Sequence, residues 1–196
     1  MKTILIFGGA FNPPHLGHKR ALEIAAQNFD AQEIWLMPSA NRLDKTINIS
    51  SDERMKMLKI FMSELAISKK TKISKLEINN SKLSSTFETT KKLKTLYPNY
   101  RFYFVIGSDI VKDIEKFWMQ GKKVFNSINF LILKRPGYEM SNKLPKNGVV
   151  VDKEIMKNNI SSTAVRKAIS RGWPVDSWLT TNVKKLYFCQ KTLFMI

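Results

Sequence analysis

Cysteine, histidine and acid are all scarce in this chain. Cys189 is its one cysteine, which excludes an internal disulfide framework and fits a reducing, cytoplasmic setting. The histidines number two, His15 and His18. Zinc takes about four Cys, His or carboxylate ligands, so with Cys189 far along the chain no metal centre is expected. No stretch approaches the roughly 18 apolar residues of a membrane span. Met1-Lys2 leads straight into a short apolar run, which is not the pattern of a secretory leader. No internal repeat and no low-complexity linker interrupts the chain. Lysine and arginine total 33 against 16 aspartates and glutamates, a net charge of +17. Such an excess attracts polyanions or simply solvates a lysine-rich surface. The lysines are scattered and no aromatics interleave with them as in an RNA-binding sheet. A solvated surface is therefore the reading for most of them, and nucleic acid is not the expected partner.

What is present is a globular composition, with 43% hydrophobic residues over a length of 196. That suits a single domain, residues 1–196, with a sizeable core. Apolar, β-rich runs fall at residues 3–7, 33–37, 72–78, 101–106, 129–133 and 148–151. Helix-period segments lie between them, at 16–29, 52–67, 86–97 and 110–118. This alternation predicts an α/β fold: a Rossmann-like, doubly wound parallel sheet with helices on both faces. Residues 160–196 read as a small helical C-terminal subregion, with a last helix over about 181–189. The polar loop 38–50 holds Lys45 and is long enough for a lid.

Three motifs carry chemistry. The first is Gly8-Gly9-Ala10-Phe11-Asn12-Pro13-Pro14-His15-Leu16-Gly17-His18. It places a glycine turn after a strand and two imidazoles on the first turn of a helix, where free N–H groups attract anions. The second is Ile160-Ser161-Ser162-Thr163-Ala164-Val165-Arg166. Its hydroxyls, helix start and guanidinium also suit phosphate. The third is Gly107-Ser108-Asp109, at a strand end. Asp109 there either accepts a hydrogen bond from a ribose or caps the next helix.

Taken in order, these motifs resemble those of the nucleotidyltransferase superfamily with the His-x-Gly-His signature. Ser84-Ser85-Thr86-Phe87-Glu88-Thr89, the Gly107-Ser108-Asp109 to Trp118 spacing and Leu131 to Tyr138 (Leu-Ile-Leu-Lys-Arg-Pro-Gly-Tyr) narrow the likeness. Within the superfamily the chain is most similar to bacterial nicotinate mononucleotide adenylyltransferases. The resemblance implies adenylyl transfer from ATP to nicotinate mononucleotide, giving deamido-NAD and pyrophosphate in NAD biosynthesis. It makes His15, His18 and Arg166 the catalytic residues. It implies an ATP site of Gly8, Gly9, Ala10, Phe11, Lys45, Gly107, Ser108, Asp109, Ile160, Ser161, Ser162 and Thr163. It implies a mononucleotide site of Asn12, Thr86, Phe117, Trp118 and Arg135. The family's tryptophan falls one residue earlier, at Phe117, so either aromatic can fill that role.

The incoming phosphate is already anionic near neutral pH, its second pKa being about 6. No strong general base is needed, and no Ser-His-Asp or paired-carboxylate motif is evident in the chain. Catalysis is then expected from positioning and charge stabilisation. His18 and Arg166 would neutralise the α-phosphate and departing pyrophosphate, while His15 and Lys45 grip the outer phosphates. Mg²⁺ would arrive with ATP. The alternatives are an adenylyltransferase preferring nicotinamide mononucleotide or phosphopantetheine, and a non-catalytic basic nucleic-acid-binding protein. Self-association is left open by the apolar end, Leu193–Ile196.

Overall fold

The computed structural model describes residues 1–40, 49–78, 85–154 and 160–193. The run Thr3-Ile4-Leu5-Ile6-Phe7 lies within β1 (Lys2–Gly9), a central strand. Its side chains alternate between two cores, as the pleat requires. Leu5 and Phe7 join Leu22, Leu36, Phe61, Leu131 and Val165 on one face of the sheet. Ile4 and Ile6 join Trp35, Leu93, Phe104, Val124 and Phe130 on the other. A strand buried on both faces reads as an unbroken apolar run, which is why these strands stand out in the sequence.

The sheet has six strands in the order β3-β2-β1-β4-β5-β6. Besides β1 these are β2 (Glu33–Pro38), β3 (Thr71–Ile73), β4 (Tyr100–Gly107), β5 (Asn129–Lys134) and β6 (Asn147–Glu154). Every pairing is parallel. The chain starts mid-sheet, builds outward through β2 and β3, then returns to add β4 beside β1. The fold is the α/β, Rossmann-like arrangement expected. Its order reverses between β1 and β4, and ligands of such sheets bind at that point, beyond the carboxyl ends of the strands.

The connecting helices are α1 (Leu16–Asn28), α2 (Ser51–Ser63), α3 (Thr86–Leu96), α4 (Ile114–Phe117) and α5 (Gly121–Ser127). Two more follow β6: α6 (Ser162–Ser170) and α7 (Thr181–Leu193). The boundaries of α1, α3 and α6 follow their caps. Ser50 caps α2 in a capping box with Glu53, so the helix begins at Ser51, one residue before the start expected.

Four expectations need correction. The strand expected over 72–78 is only Thr71–Ile73, since this edge has β2 alone to pair with. The helix expected over 52–67 stops at Ser63, where Glu64 leaves helical geometry (φ −90°, ψ 1°). The helix expected over 110–118 is a 3₁₀ stretch, Ser108–Asp113, followed by the single turn α4. Helix α5 has no counterpart among the expected helices. It packs so close to α4 that a Cβ on Gly121 would overlap the carbonyl oxygen of Ile114.

At the opposite end of the sheet from the strand carboxyl ends, Glu33 ties three strands together. Its carboxylate accepts from Lys2 Nζ at 2.6 Å, Lys72 Nζ at 2.6 Å and Trp35 Nε1 at 2.7 Å. Burial alone would push its pKa up. The hydrogen bonds from the two lysines and the indole outweigh burial and hold it down at about 2. A carboxylate so held stabilises the fold above its unfolded pKa, and that stabilisation is lost as pH falls through about 4.5 towards about 2. Glu33→Gln should therefore lower stability by about 2 kcal/mol at pH 7, with the difference closing as pH falls from about 4.5 to about 2. Melting curves of both proteins across pH check this. A gap that stays constant down to pH 2 would contradict it.

Candidate active site

The ends of β1, β4 and β5, the start of α1 and the start of α6 enclose a cavity of about 580 Å³. Its lining includes Gly8, Ala10, Phe11, Asn12, His15, Gly17, His18, Gly107, Asp109, Arg135, Ile160, Ser161, Ser162, Thr163 and Arg166. Motifs about 150 residues apart in sequence thus meet at the sheet's reversal point. Two contacts join them. Ser162 Oγ donates to the Pro13 carbonyl at 2.9 Å, and Arg166 Nη1 donates to the Asn12 carbonyl at 2.7 Å. Arg166 Nη2 reaches Thr163 Oγ1 at 3.3 Å, which fixes the plane of the guanidinium.

The two histidines cap their own helix. His18 N–H donates to His15 Nδ1 at 3.3 Å, and His15 N–H donates to His18 Nδ1 at 3.1 Å. This is a capping box in which imidazoles replace the usual hydroxyl and carboxylate. The rings stack with centroids 3.7 Å apart. Because each Nδ1 accepts, each neutral ring carries its proton on Nε2. That leaves two Nε2–H donors for a ligand in the cavity. Burial, and then the Arg135 guanidinium, push His15 down to about 3. Burial, His15 and Arg135 push His18 well below its ordinary value. Both imidazoles are therefore neutral near pH 7. Among the chain's own groups at the cavity, positive charge therefore rests on the arginines, and each imidazole presents an Nε2–H.

Gly17 explains the residue between the histidines. A Cβ there would sit 3.0 Å from the His15 ring and 3.3 Å from the Ile160 carbonyl. A side chain there would push the His15 ring or the segment entering α6 aside by a few tenths of an ångström. Gly9 is not constrained in this way, since a Cβ there would meet the Phe11 ring at an ordinary 3.4 Å. Phe11 itself has φ 49° and is 1% exposed, packed against His18 with ring centroids 5.2 Å apart.

Asp109 lies inside the 3₁₀ stretch that follows Gly107, so it does not cap it, and it lines the cavity. The carboxylate accepts from Arg135 Nη1 at 2.6 Å and folds back over Gly107, where a Cβ would strike it. Ser108 is buried, does not line the cavity, and accepts the Arg135 N–H on its hydroxyl at 3.0 Å. Its local task is to seat Arg135.

Other expected site residues stand apart. Gly9 pairs with Pro38 at the end of β1, outside the cavity lining. Thr86 begins α3, and Phe117 is 77% exposed. Trp118 is half-buried, edge-on to Phe130 at 6.5 Å. None of these three lines the cavity. The two segments do meet each other: Gln120 Nε2 donates to Glu88 Oε1 at 3.4 Å, and Lys123 Nζ lies 5.6 Å from the Phe87 ring centroid. Lys45 lies outside the described residues. Among those described, no group of three His, Cys, Asp or Glu side chains is placed to hold a metal ion. No described helix is long and apolar enough to cross a membrane.

Sequence reasoning missed Gly17 and Arg54. Gly17 was visible as the glycine of the motif, but its neighbour Ile160 was not. Arg54 lies on α2, is fully buried, and donates to the Ala10 carbonyl. Nothing in the local sequence marks it apart from its neighbours.

Residues 6–168 match a family profile described as cytidylyltransferase-like. A probable nicotinate-nucleotide adenylyltransferase of Bacillus licheniformis is 36% identical over 99% of both chains. The nicotinate-nucleotide adenylyltransferase of Bacillus subtilis is 31% identical over 94% of this chain and 95% of its own. Among solved structures, Plasmodium falciparum nicotinic acid mononucleotide adenylyltransferase complexed with NaAD superposes with a TM-score of 0.85. It is 27% identical and the alignment covers 97% of this chain and 96% of that one. The same Plasmodium enzyme complexed with APC gives a TM-score of 0.81. With its motifs gathered at one cavity and these matches running nearly end to end, the chain belongs to the cytidylyltransferase-like family, among its nicotinate-nucleotide adenylyltransferases.

Proposed function

We propose that this chain transfers the adenylyl group of Mg·ATP to the 5′-phosphate of nicotinate mononucleotide, giving deamido-NAD and pyrophosphate. The observation that carries this reading is the meeting of two helix N-termini, two Nε2–H donors and Arg166 at one cavity. Such a set binds polyphosphate. The full-length kinship supplies the acceptor.

A mononucleotide phosphate oxygen attacks the α-phosphorus of ATP. The new P–O bond forms as the bond from the α-phosphorus to the bridging oxygen breaks, and that electron pair leaves on pyrophosphate. His15 and His18 donate Nε2–H to phosphate oxygens. Arg166 supplies the charge that grows in importance as pyrophosphate departs. The hydroxyls of Ser161, Ser162 and Thr163 and the N–H groups of the first turn of α6 serve the outer phosphates. Gly8, Ala10, Phe11, Gly107, Asp109 and Ile160 shape the ATP side. Asn12 and Arg135 face the incoming mononucleotide, with Thr86 and the corner at Phe117 and Trp118 as its further wall. Lys45 is proposed for the outer phosphates. Mg²⁺ enters as part of the ATP substrate and shields the two anions from each other. The proposed setting is the cytoplasm, with the chain acting as one catalytic domain.

Pyrophosphate release from Mg·ATP tests the reading, with nicotinate mononucleotide, nicotinamide mononucleotide and phosphopantetheine as separate acceptors. Fast release is expected with nicotinate mononucleotide and little with phosphopantetheine. Faster release with nicotinamide mononucleotide would reassign the acceptor, and silence with all three would overturn the reading.

A further inference from the structure

Arg54 is the largest fully buried side chain among the described residues, at 0% exposure, and it carries a charge. Arginine is rarely buried unless paired, yet no carboxylate meets it among the described residues. Its guanidinium instead serves neutral acceptors. Nη1 donates to the Ser39 carbonyl at 2.7 Å and to the Ala10 carbonyl at 3.1 Å, and Nη2 reaches Ser51 Oγ at 3.5 Å. Nε has no partner there. These acceptors lie on three separate segments: the turn after β1, the exit of β2 and the start of α2. A backbone bond from Ser39 N–H to the Gly9 carbonyl at 2.9 Å closes the same joint.

The position of this joint matters. Ala10 lines the cavity and Arg54 does not. A carbonyl that points at Arg54 therefore points into the protein, away from the phosphates. A turn that binds anions has to show N–H groups and hide its carbonyls, because an exposed carbonyl dipole repels phosphate. Phe11, next in the chain, is held at φ 49°, which is costly for a large side chain and needs surroundings that fix it. We infer that Arg54 is a positioning residue for adenylyl transfer: its buried guanidinium draws the Ala10 and Ser39 carbonyls inward and so fixes the phosphate-facing shape of the 8–12 turn. This inference rests on the proposed adenylyltransferase reading.

The test compares the parent with Arg54→Met and Arg54→Lys. Far-UV circular dichroism and melting establish folding, ATP binding is measured by calorimetry, and kcat and KM are taken for both substrates. In Arg54→Met the Ala10 carbonyl loses its donor, and a KM and Kd for ATP raised about tenfold to hundredfold are expected. The KM for the mononucleotide should move much less. Arg54→Lys keeps the charge without the fork and should recover part of the loss. A folded Arg54→Met protein with the parent's affinity for ATP would overturn the inference. So would equal rises in both KM values that merely track the fall in melting temperature. If Arg54→Met does not fold, the same comparison on Arg54→Lys decides. A parent that turns over none of the acceptors would instead count against the adenylyltransferase reading, and calorimetry would still report on Arg54.

Discussion

His18→Ala is expected to lower kcat by about a thousandfold, the upper end of what one lost donor to a developing anion costs. The effect is that large because the imidazole does two jobs. It offers Nε2–H to the cavity, and its Nδ1 accepts the His15 N–H at 3.1 Å. Removing it also takes away the ring stacked 3.7 Å from His15, so the second donor loses its orientation. A glutamine at this position separates the jobs. Glutamine at the third residue of a helix can reach back to the capping N–H. His18→Gln should therefore melt close to the parent while remaining nearly as slow as His18→Ala. Steady-state turnover and calorimetric melting of the two variants are the measurements. A His18→Ala protein within tenfold of the parent would remove His18 from the mechanism. Nitrogen-15 spectra give an independent check: both imidazoles should appear as Nε2–H tautomers that do not titrate between pH 5 and 8, since burial and Arg135 hold His15 at about 3.

Arg166→Met is expected to lower kcat by about a hundredfold to a thousandfold. With both histidines neutral, the cavity's charge rests on Arg135 and Arg166, and Arg135 already faces Asp109 at 2.6 Å. Among the described residues Arg166 instead bonds neutral groups, the Asn12 carbonyl and Thr163 Oγ1. In the proposed mechanism its charge serves pyrophosphate. Arg166→Lys restores the charge but cannot span both contacts, so it should lie between the parent and Arg166→Met. The reverse reaction, dinucleotide plus pyrophosphate, should slow by the same factor in each variant, because one transition state serves both directions. Assays run from both sides check this. Loss in one direction alone would point to a step other than phosphoryl transfer.

The parts of this site that were legible in the sequence are those whose geometry is local. The turn after β1, the caps of α1 and α6 and the six strands each follow from neighbours within a few residues. What could not be read depends on distant segments. The break between α4 and α5 needs the carbonyl of Ile114 against Gly121. Arg54 finds its acceptors 15 and 44 residues away. The pairing of Asp109 with Arg135, 26 residues on, is likewise absent from the local sequence. The resemblance named Thr86 and Trp118, and their segments do come together, although outside the cavity.

The bonds from Ser162 and Arg166 to the Pro13 and Asn12 carbonyls span 149 and 154 residues. During synthesis the amino-terminal half of the sheet can form early, since chains fold as they emerge. The ATP pocket cannot. Until the ribosome has released the segment beyond Arg166, the growing polypeptide holds one of the two helix ends that clasp polyphosphate. A polypeptide ending before residue 160 would hold both histidines but lack Ser162 and Arg166, and with them both contacts that tie α6 to the turn after β1.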